Sequence, residues 1–166
     1  MASRRPRDIG TATESAVVRY LRTAGFPHAE RRALRGAFDA GDITGTPGVC
    51  WESKGGMAAK TASDGQVQLW LDETMRQVAN AGADVGILVV QRAGIGEANA
   101  GRWWAIMPGD QYEELCWPAA RPPHATDQPG WRYGDRGPIR MHLSQACGLL
   151  VYAGYGAAAI TEGVSA

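Results

Sequence analysis

Lysine is nearly missing from this chain. Of its 17 basic residues only Lys54 and Lys60 are lysines, and the rest are arginines. Cysteine is scarce as well: Cys50, Cys116 and Cys147 are odd in number, widely spaced and without a CxxC pair, so neither a disulfide framework nor a zinc site is expected. No apolar run approaches the roughly 18 residues of a membrane span. The opening MASRRPRDIG is basic but lacks the apolar stretch of a secretory signal, so the expected location is the cytoplasm. There is no internal repeat, and the formal net charge is zero, which argues against a protein that coats nucleic acid.

The neutral total conceals an asymmetry. Through residue 35 stand eight arginines (Arg4, Arg5, Arg7, Arg19, Arg22, Arg31, Arg32, Arg35) against Asp8, Glu14 and Glu30. A basic face on a neutral protein follows, and phosphate is one partner that it suits. With 166 residues and 45% hydrophobic content the chain is long enough for one domain with its own core.

Periodicity predicts the elements. Apolar residues at Ala16, Val17, Tyr20, Leu21 and Ala24 make a helical stripe over Thr11 to Ala24, opened by a Thr-x-x-Glu capping box and closed by Gly25. Gly41 to Gly45 and Val49 to Lys54 read as a hairpin across Thr46-Pro47-Gly48. A second long helix spans Gln66 to Ala81 with Gly82 as its stop, and VGILVV at 85–90 reads as a central strand buried on both faces. After the Gly-rich loop AGIGEANAG comes a strand over 102–107; a GxG with no helix behind it is weak evidence for nucleotide. Asp110 with Glu113 suggests a capping box for a short helix ending near Trp117. Residues 118–140, rich in proline and glycine, read as a long excursion, and a last apolar helix covers 143 to 154 before a frayed tail at 157–166. The class is α/β, a small mixed sheet of four to five strands flanked by helices. Its domain limits are a core over 1–116, with a basic N-terminal arm at 1–10, and an appended 117–166 packed on that core.

The stretch GDITGTPGVCWESK carries the chemistry. Glu52 and Lys54, two apart on one strand, leave the same face. A three-residue loop at Thr46 to Gly48 sets Asp42 opposite Glu52, whereas a two-residue turn sets it opposite Ser53. Facing carboxylates repel unless a cation lies between them, and a divalent metal resolves the conflict. Oxygen ligands of this kind suit magnesium (Mg2+), with manganese (Mn2+) as a substitute. Such a metal polarises a phosphoryl oxygen while the lysine stabilises developing negative charge, which is phosphodiester hydrolysis. Glu14 has two readings: a helix cap, or an inward carboxylate that the metal or the lysine satisfies.

These residues resemble the PD-(D/E)XK nuclease superfamily, and within it the Holliday junction resolvase-like endonucleases, in particular those of actinobacterial phages. The likeness covers roughly residues 10–115, through GTATESAVVRYLRTAGF, PHAERRALRGAFDAGDITG, VCWESK, LWLDETMRQVANAGA and VGILVVQR followed by RWWAIMP. It implies a restriction-endonuclease-like core, a homodimer, magnesium and branched DNA as substrate. Asp42 is then the motif aspartate, Glu52 and Lys54 its acid-x-lysine, Glu14 the helix-borne acid, and the Ser53 backbone carbonyl a further metal ligand. Gly41 stands where the name-giving proline would be. The glutamine that many relatives carry after the motif has Gln66 and Gln68 as candidates. Arg31, Arg32 and Arg35, with Arg4, Arg5 and Arg7 on the arm, are the expected DNA-phosphate contacts. His28 reads as a surface residue. Trp117, Trp131, Tyr133, Tyr152 and Tyr155 offer aromatic area either to a dimer interface or to packing over one sheet edge. An exonuclease, a repair or restriction-type endonuclease, and a binding module that does not cut are the rival readings.

Overall fold

The computed structural model describes residues 6–33, 39–117 and 136–157. Their elements run α1 (Pro6–Thr23), β1 (Glu30–Arg31), β2 (Ile43–Thr44), β3 (Val49–Lys54), α2 (Gly56–Lys60), α3 (Asp64–Ala81), β4 (Val85–Val90), a 3-10 turn (Glu97–Arg102), β5 (Trp104–Met107), α4 (Gly109–Cys116), β6 (Ile139–His142) and α5 (Leu143–Tyr152). Four strands form one mixed sheet in the order β3-β4-β5-β6, with β1 and β2 as a separate antiparallel pair. β3 and β4 are parallel, and the two later junctions are antiparallel. The fold is mixed α/β, as the sequence predicts.

Strand alternation divides the core into two layers. Val49, Trp51, Ile87, Val89, Ala105 and Met107 face α1, α4 and α5, where Val17, Leu21, Leu115, Leu143 and Leu150 complete one buried cluster. Leu88, Val90 and Ile106 face the other way, against Ala59, Val67 and Leu71 of α2 and α3. All six residues of β4 are buried, which a strand with a neighbour on each side and helices on both faces requires. The helix α3 is stopped where expected: Gly82 adopts the left-handed conformation and its N–H bonds the carbonyls of Ala79 and Val78.

Several expectations are corrected. The first helix begins at Pro6, so Thr11 and Glu14 lie inside it and form no capping box; a proline suits a first helical position, and residues 6–10 of the expected arm are helix. Asp110 likewise is not a cap, since α4 is already entered at Pro108; its carboxylate instead accepts from the Gln111 N–H at 2.9 Å. The hairpin is not a ladder: Ile43 and Thr44 pair with Arg31 and Glu30, not with β3. Within the expected excursion lies β6, which pairs with β5 and makes the far edge of the sheet. Trp117 and Tyr152 are exposed and Tyr155 is half-buried. Trp131 and Tyr133, and the tail beyond 157, lie outside the described residues.

Candidate active site

The near edge of the sheet is β3, and the sequence around it brings acids together. Glu52 and Lys54 leave the α3 face of the strand, and the Lys54 Nζ donates to Glu52 Oε1 at 2.6 Å. Glu52 is only 6% exposed. Its second oxygen accepts from Gln77 Nε2 at 2.9 Å, and the same nitrogen reaches Asp39 Oδ2 at 2.9 Å. One turn back on α3, Glu73 Oε2 accepts from Lys54 at 3.3 Å. The Gln77 Oε1 is buried and has no partner.

Asp42 arrives from off the sheet. Gly41 precedes it with φ of +86°, and a Cβ there would stand 2.8 Å from the Trp51 carbonyl oxygen. Glycine therefore meets two demands at this position, the left-handed backbone and the close approach to the strand. The Asp42 N–H donates to the Trp51 carbonyl at 2.8 Å, while its own carbonyl turns away to accept from Arg32 N–H at 2.7 Å. Its carboxylate replaces that carbonyl against β3: Oδ2 accepts from the Ser53 N–H at 2.7 Å and the Ser53 hydroxyl at 2.8 Å. Asp42 thus bonds the two residues that flank Glu52 on β3. It does so by one backbone bond and one side chain rather than by strand pairing.

The Ser53 carbonyl follows from the same alternation. Lys54 O accepts from Gln91 N–H at 2.9 Å on the side of β4, so Lys54 and Glu52 point their backbone groups into the sheet. Trp51 and Ser53 point theirs outward, and the Ser53 carbonyl faces the open edge on which Asp42 lies.

Glu14 belongs to this neighbourhood without capping anything. Its Oε2 accepts from Arg31 Nε at 2.8 Å, and Arg31 Nη2 also reaches the Thr11 hydroxyl at 3.4 Å. Arg31 is thus engaged with Glu14, beside an exposed Arg32; Arg7 is exposed on the first turn of α1. Arg4, Arg5 and Arg35 lie outside the described residues. His28 is exposed, as expected.

The electrostatics are those of crowded anions. Burial, then the charge of Glu52 and more weakly that of Glu14, pushes the Asp42 pKa up to about 7, against the hydrogen bonds from Ser53 that favour its charged form. Burial alone would lower the pKa of Lys54, but the hydrogen bond and charge of Glu52, with those of Glu73, raise it instead. Lys54 is therefore an ammonium at neutral pH. The Cys50 thiol is pushed up to about 11 by burial and by Glu52, which excludes it as a nucleophile at neutral pH.

Do these residues fit a divalent metal? Among the described residues no group of three or more His, Cys, Asp or Glu side chains is placed to hold one. What the edge offers is two carboxylates, Asp42 and Glu52, and the outward Ser53 carbonyl on the same strand. That set fits magnesium, which keeps most of its waters and takes one or two carboxylates. Two features of the surroundings are compatible with such an ion: the Asp42 carboxyl is pushed up by burial and by the charge of Glu52, and the buried Gln77 Oε1 has no hydrogen-bond partner.

Sequence reading misses three members. Gln66 and Gln68 are not the site glutamine; Gln68 is exposed and bonds Asp72 at 2.8 Å. Gln77 is the residue present, with Glu73 and Asp39. The available signal is periodic: Gln77 falls three residues after Thr74 and seven after Trp70, on the inward stripe, where a polar side chain needs a partner. Comparison with protein-family models, curated proteins and solved structures finds no match to this chain.

Proposed function

We propose that this protein is a metal-dependent endonuclease that hydrolyses DNA phosphodiester bonds, with four-way junctions as its substrate. The observation that carries the reading is the pair Asp42 and Glu52, opposed across β3 with Asp42 driven to a pKa of about 7 by its surroundings. Two acids that share one field, with only the Lys54 ammonium on Glu52 to offset them, are a set that a divalent cation would suit.

Asp42, Glu52 and the Ser53 carbonyl would hold the ion, with Glu14 next in line if Arg31 releases it. A bound magnesium ion supplies charge neutralisation and a Lewis acid for a phosphoryl oxygen. Lys54 supplies the rest. As an ammonium it serves as a donor toward developing negative charge rather than as a general base, and Glu52 and Glu73 hold its nitrogen in place. Gln77 keeps Glu52 oriented from behind. Arg31 and Arg32, beside the mouth, contact phosphates without reading sequence.

Junction specificity, a homodimer whose two sites cut symmetric strands, and work in the cytoplasm belong to the same reading and come from the resemblance. No helix among the described residues is long and apolar enough to cross a membrane.

The test is incubation with labelled four-way junction, flap, linear duplex and single strand, with and without magnesium, beside Asp42→Ala. Metal-dependent cutting of the junction, lost in the variant, is the expected result. Absence of metal-dependent cleavage on every substrate removes the nuclease reading. Equal cutting of junction and plain duplex removes only the junction preference and leaves a repair or restriction-type endonuclease.

A further inference from the structure

The other edge of the sheet carries a different chemistry. By strand register Trp104 and His142 lie side by side on β5 and β6, with Ile106 and Arg140 in the next row. The Trp104 and His142 rings stack, with centroids 5.4 Å apart and planes 28° apart. The Arg92 guanidinium lies 4.4 Å from the Trp104 ring centre, and Arg140 lies 5.9 Å from it. Arg92 Nη1 is 3.1 Å from His142 Nε2; since a guanidinium only donates, the imidazole nitrogen accepts. Beside this stack is a cavity of about 440 Å3, lined by Trp104, Tyr112, Arg140, His142 and Gln145 together with aliphatic side chains.

Among the described residues the charge balance of this edge is positive. The carboxylate that Arg140 meets there is Asp64, at 3.4 Å, whose side chain is 99% exposed. Arg92 has no carboxylate within ion-pair distance among the described residues. This half-buried guanidinium lies over an indole instead, 4.4 Å from the ring centre. Flat rings, guanidinium planes and uncompensated positive charge around a cavity of ligand size are the features that receive a base and its phosphate. An acidic peptide would use the charge but has no need of the stack.

We propose that this far-edge cavity binds an unpaired nucleotide of a nucleic-acid strand, its base against the His142 and Trp104 stack and its phosphate on Arg140 and Arg92. β3 and β6 are three strand spacings apart, roughly 14 Å, so one substrate reaches both edges. The purpose rests on the nuclease reading: a strand end or unpaired stretch held at β6 presents nearby duplex to β3. The binding itself does not rest on it.

The experiment is anisotropy of a labelled oligothymidylate in EDTA, where nothing is cut, with the intact protein. Binding is expected, weakened roughly tenfold by the double change Arg92→Gln and Arg140→Gln and by Trp104→Leu, but largely kept by Trp104→Phe, which preserves a ring. Circular dichroism and Tm of each variant establish that it is folded. Thymidine monophosphate is expected to compete where inorganic phosphate at equal concentration does not. No binding by the wild type, unchanged binding in the folded double variant, equal loss in Trp104→Phe and Trp104→Leu, or competition by phosphate alone would each overturn the proposal. The wild type with magnesium separates the two readings: a protein that binds oligothymidylate through Trp104 yet cuts no substrate keeps this site and loses the nuclease.

Discussion

The two edges of one four-stranded sheet are opposites. At β3, Glu52 and Glu73 hold the ammonium of Lys54, Gln77 links Glu52 to Asp39, and Asp42 stands beside them on Ser53. At β6, Arg92 and Arg140 converge on one indole, and among the described residues their ion-pair partner is a solvated aspartate, Asp64. A protein of zero formal charge has thus segregated its charge across a single sheet. The difference teaches that net charge says nothing about the local field at either edge: on the readings proposed above, one edge receives a cation and the other an anion with a flat face. It also separates two kinds of cost. Acids packed together are an energetic load on the fold, while arginines lying on an aromatic surface are not.

The sharpest way to break the comparison is to empty the acidic edge. Asp42→Ala is expected to lower metal-dependent cleavage about 10³-fold, and Lys54→Ala between about 10² and 10³-fold, the range seen when one preorganised charge or donor is removed. Single-turnover rates at saturating magnesium measure both. Unaltered rates in either would show that the crowding at β3 has no part in the chemistry.

Next comes stability against pH. Asp42 holds its proton more tightly folded, at about 7, than unfolded, near 3.8. Its protonated form is the one the fold favours, so the contribution is fully present below the unfolded pKa and is lost as pH rises through the folded one. Without metal, stability is expected to fall by roughly 4 kcal/mol between pH 4 and 7, the free energy of a shift of about three pKa units. Asp42→Asn should flatten that slope and exceed the wild type in urea midpoint at pH 8 in EDTA. A slope that survives the substitution would assign it to another group.

Glu52 and its support give a smaller effect. Gln77→Ala deletes the bond to Glu52 and the one to Asp39 inside a site 3% exposed, and is expected to cost about 2 kcal/mol in EDTA. Part of that loss should return on adding magnesium, because an ion that binds only the folded chain stabilises it by mass action. Urea titrations with and without the metal provide the check.

How far all this was legible in the chain depends on how local each signal is. β4 is readable to the residue because VGILVV is an unbroken apolar run, and α3 ends where Gly82 stops it. That Glu52 and Lys54 share a face follows from strand alternation, whereas Asp42 comes beside Glu52 through bonds to Trp51 and Ser53 and not through the expected hairpin. Capping boxes misled twice. Thr11 with Glu14 and Asp110 with Glu113 satisfy a four-residue pattern, but whether the chain is already helical depends on residues before it, here Pro6 and Pro108. β6 was hidden because IRMH is four residues long, follows a proline-rich stretch and is only partly buried. Gln77 was unread because its partners are 25 and 38 residues away in sequence. Such contacts are made by the tertiary fold, and no local window contains them.

The smallest expected effect sharpens the comparison from the far side. The Arg140 and Asp64 pair is 3.4 Å long and Asp64 is 99% exposed, so screening by water leaves it almost no role in holding the fold. Arg140→Gln should therefore shift Tm by less than about 1 °C, whereas Asp42→Asn moves stability markedly at the same pH. The contrast has a use. If Arg140 costs the fold nothing when removed, any loss of oligothymidylate affinity in that variant is a loss of contact rather than of structure. A Tm drop of several degrees would instead show that Arg140 is part of the scaffold, tying β6 to the start of α3, and the two edges would then differ in sign of charge but not in energetic role.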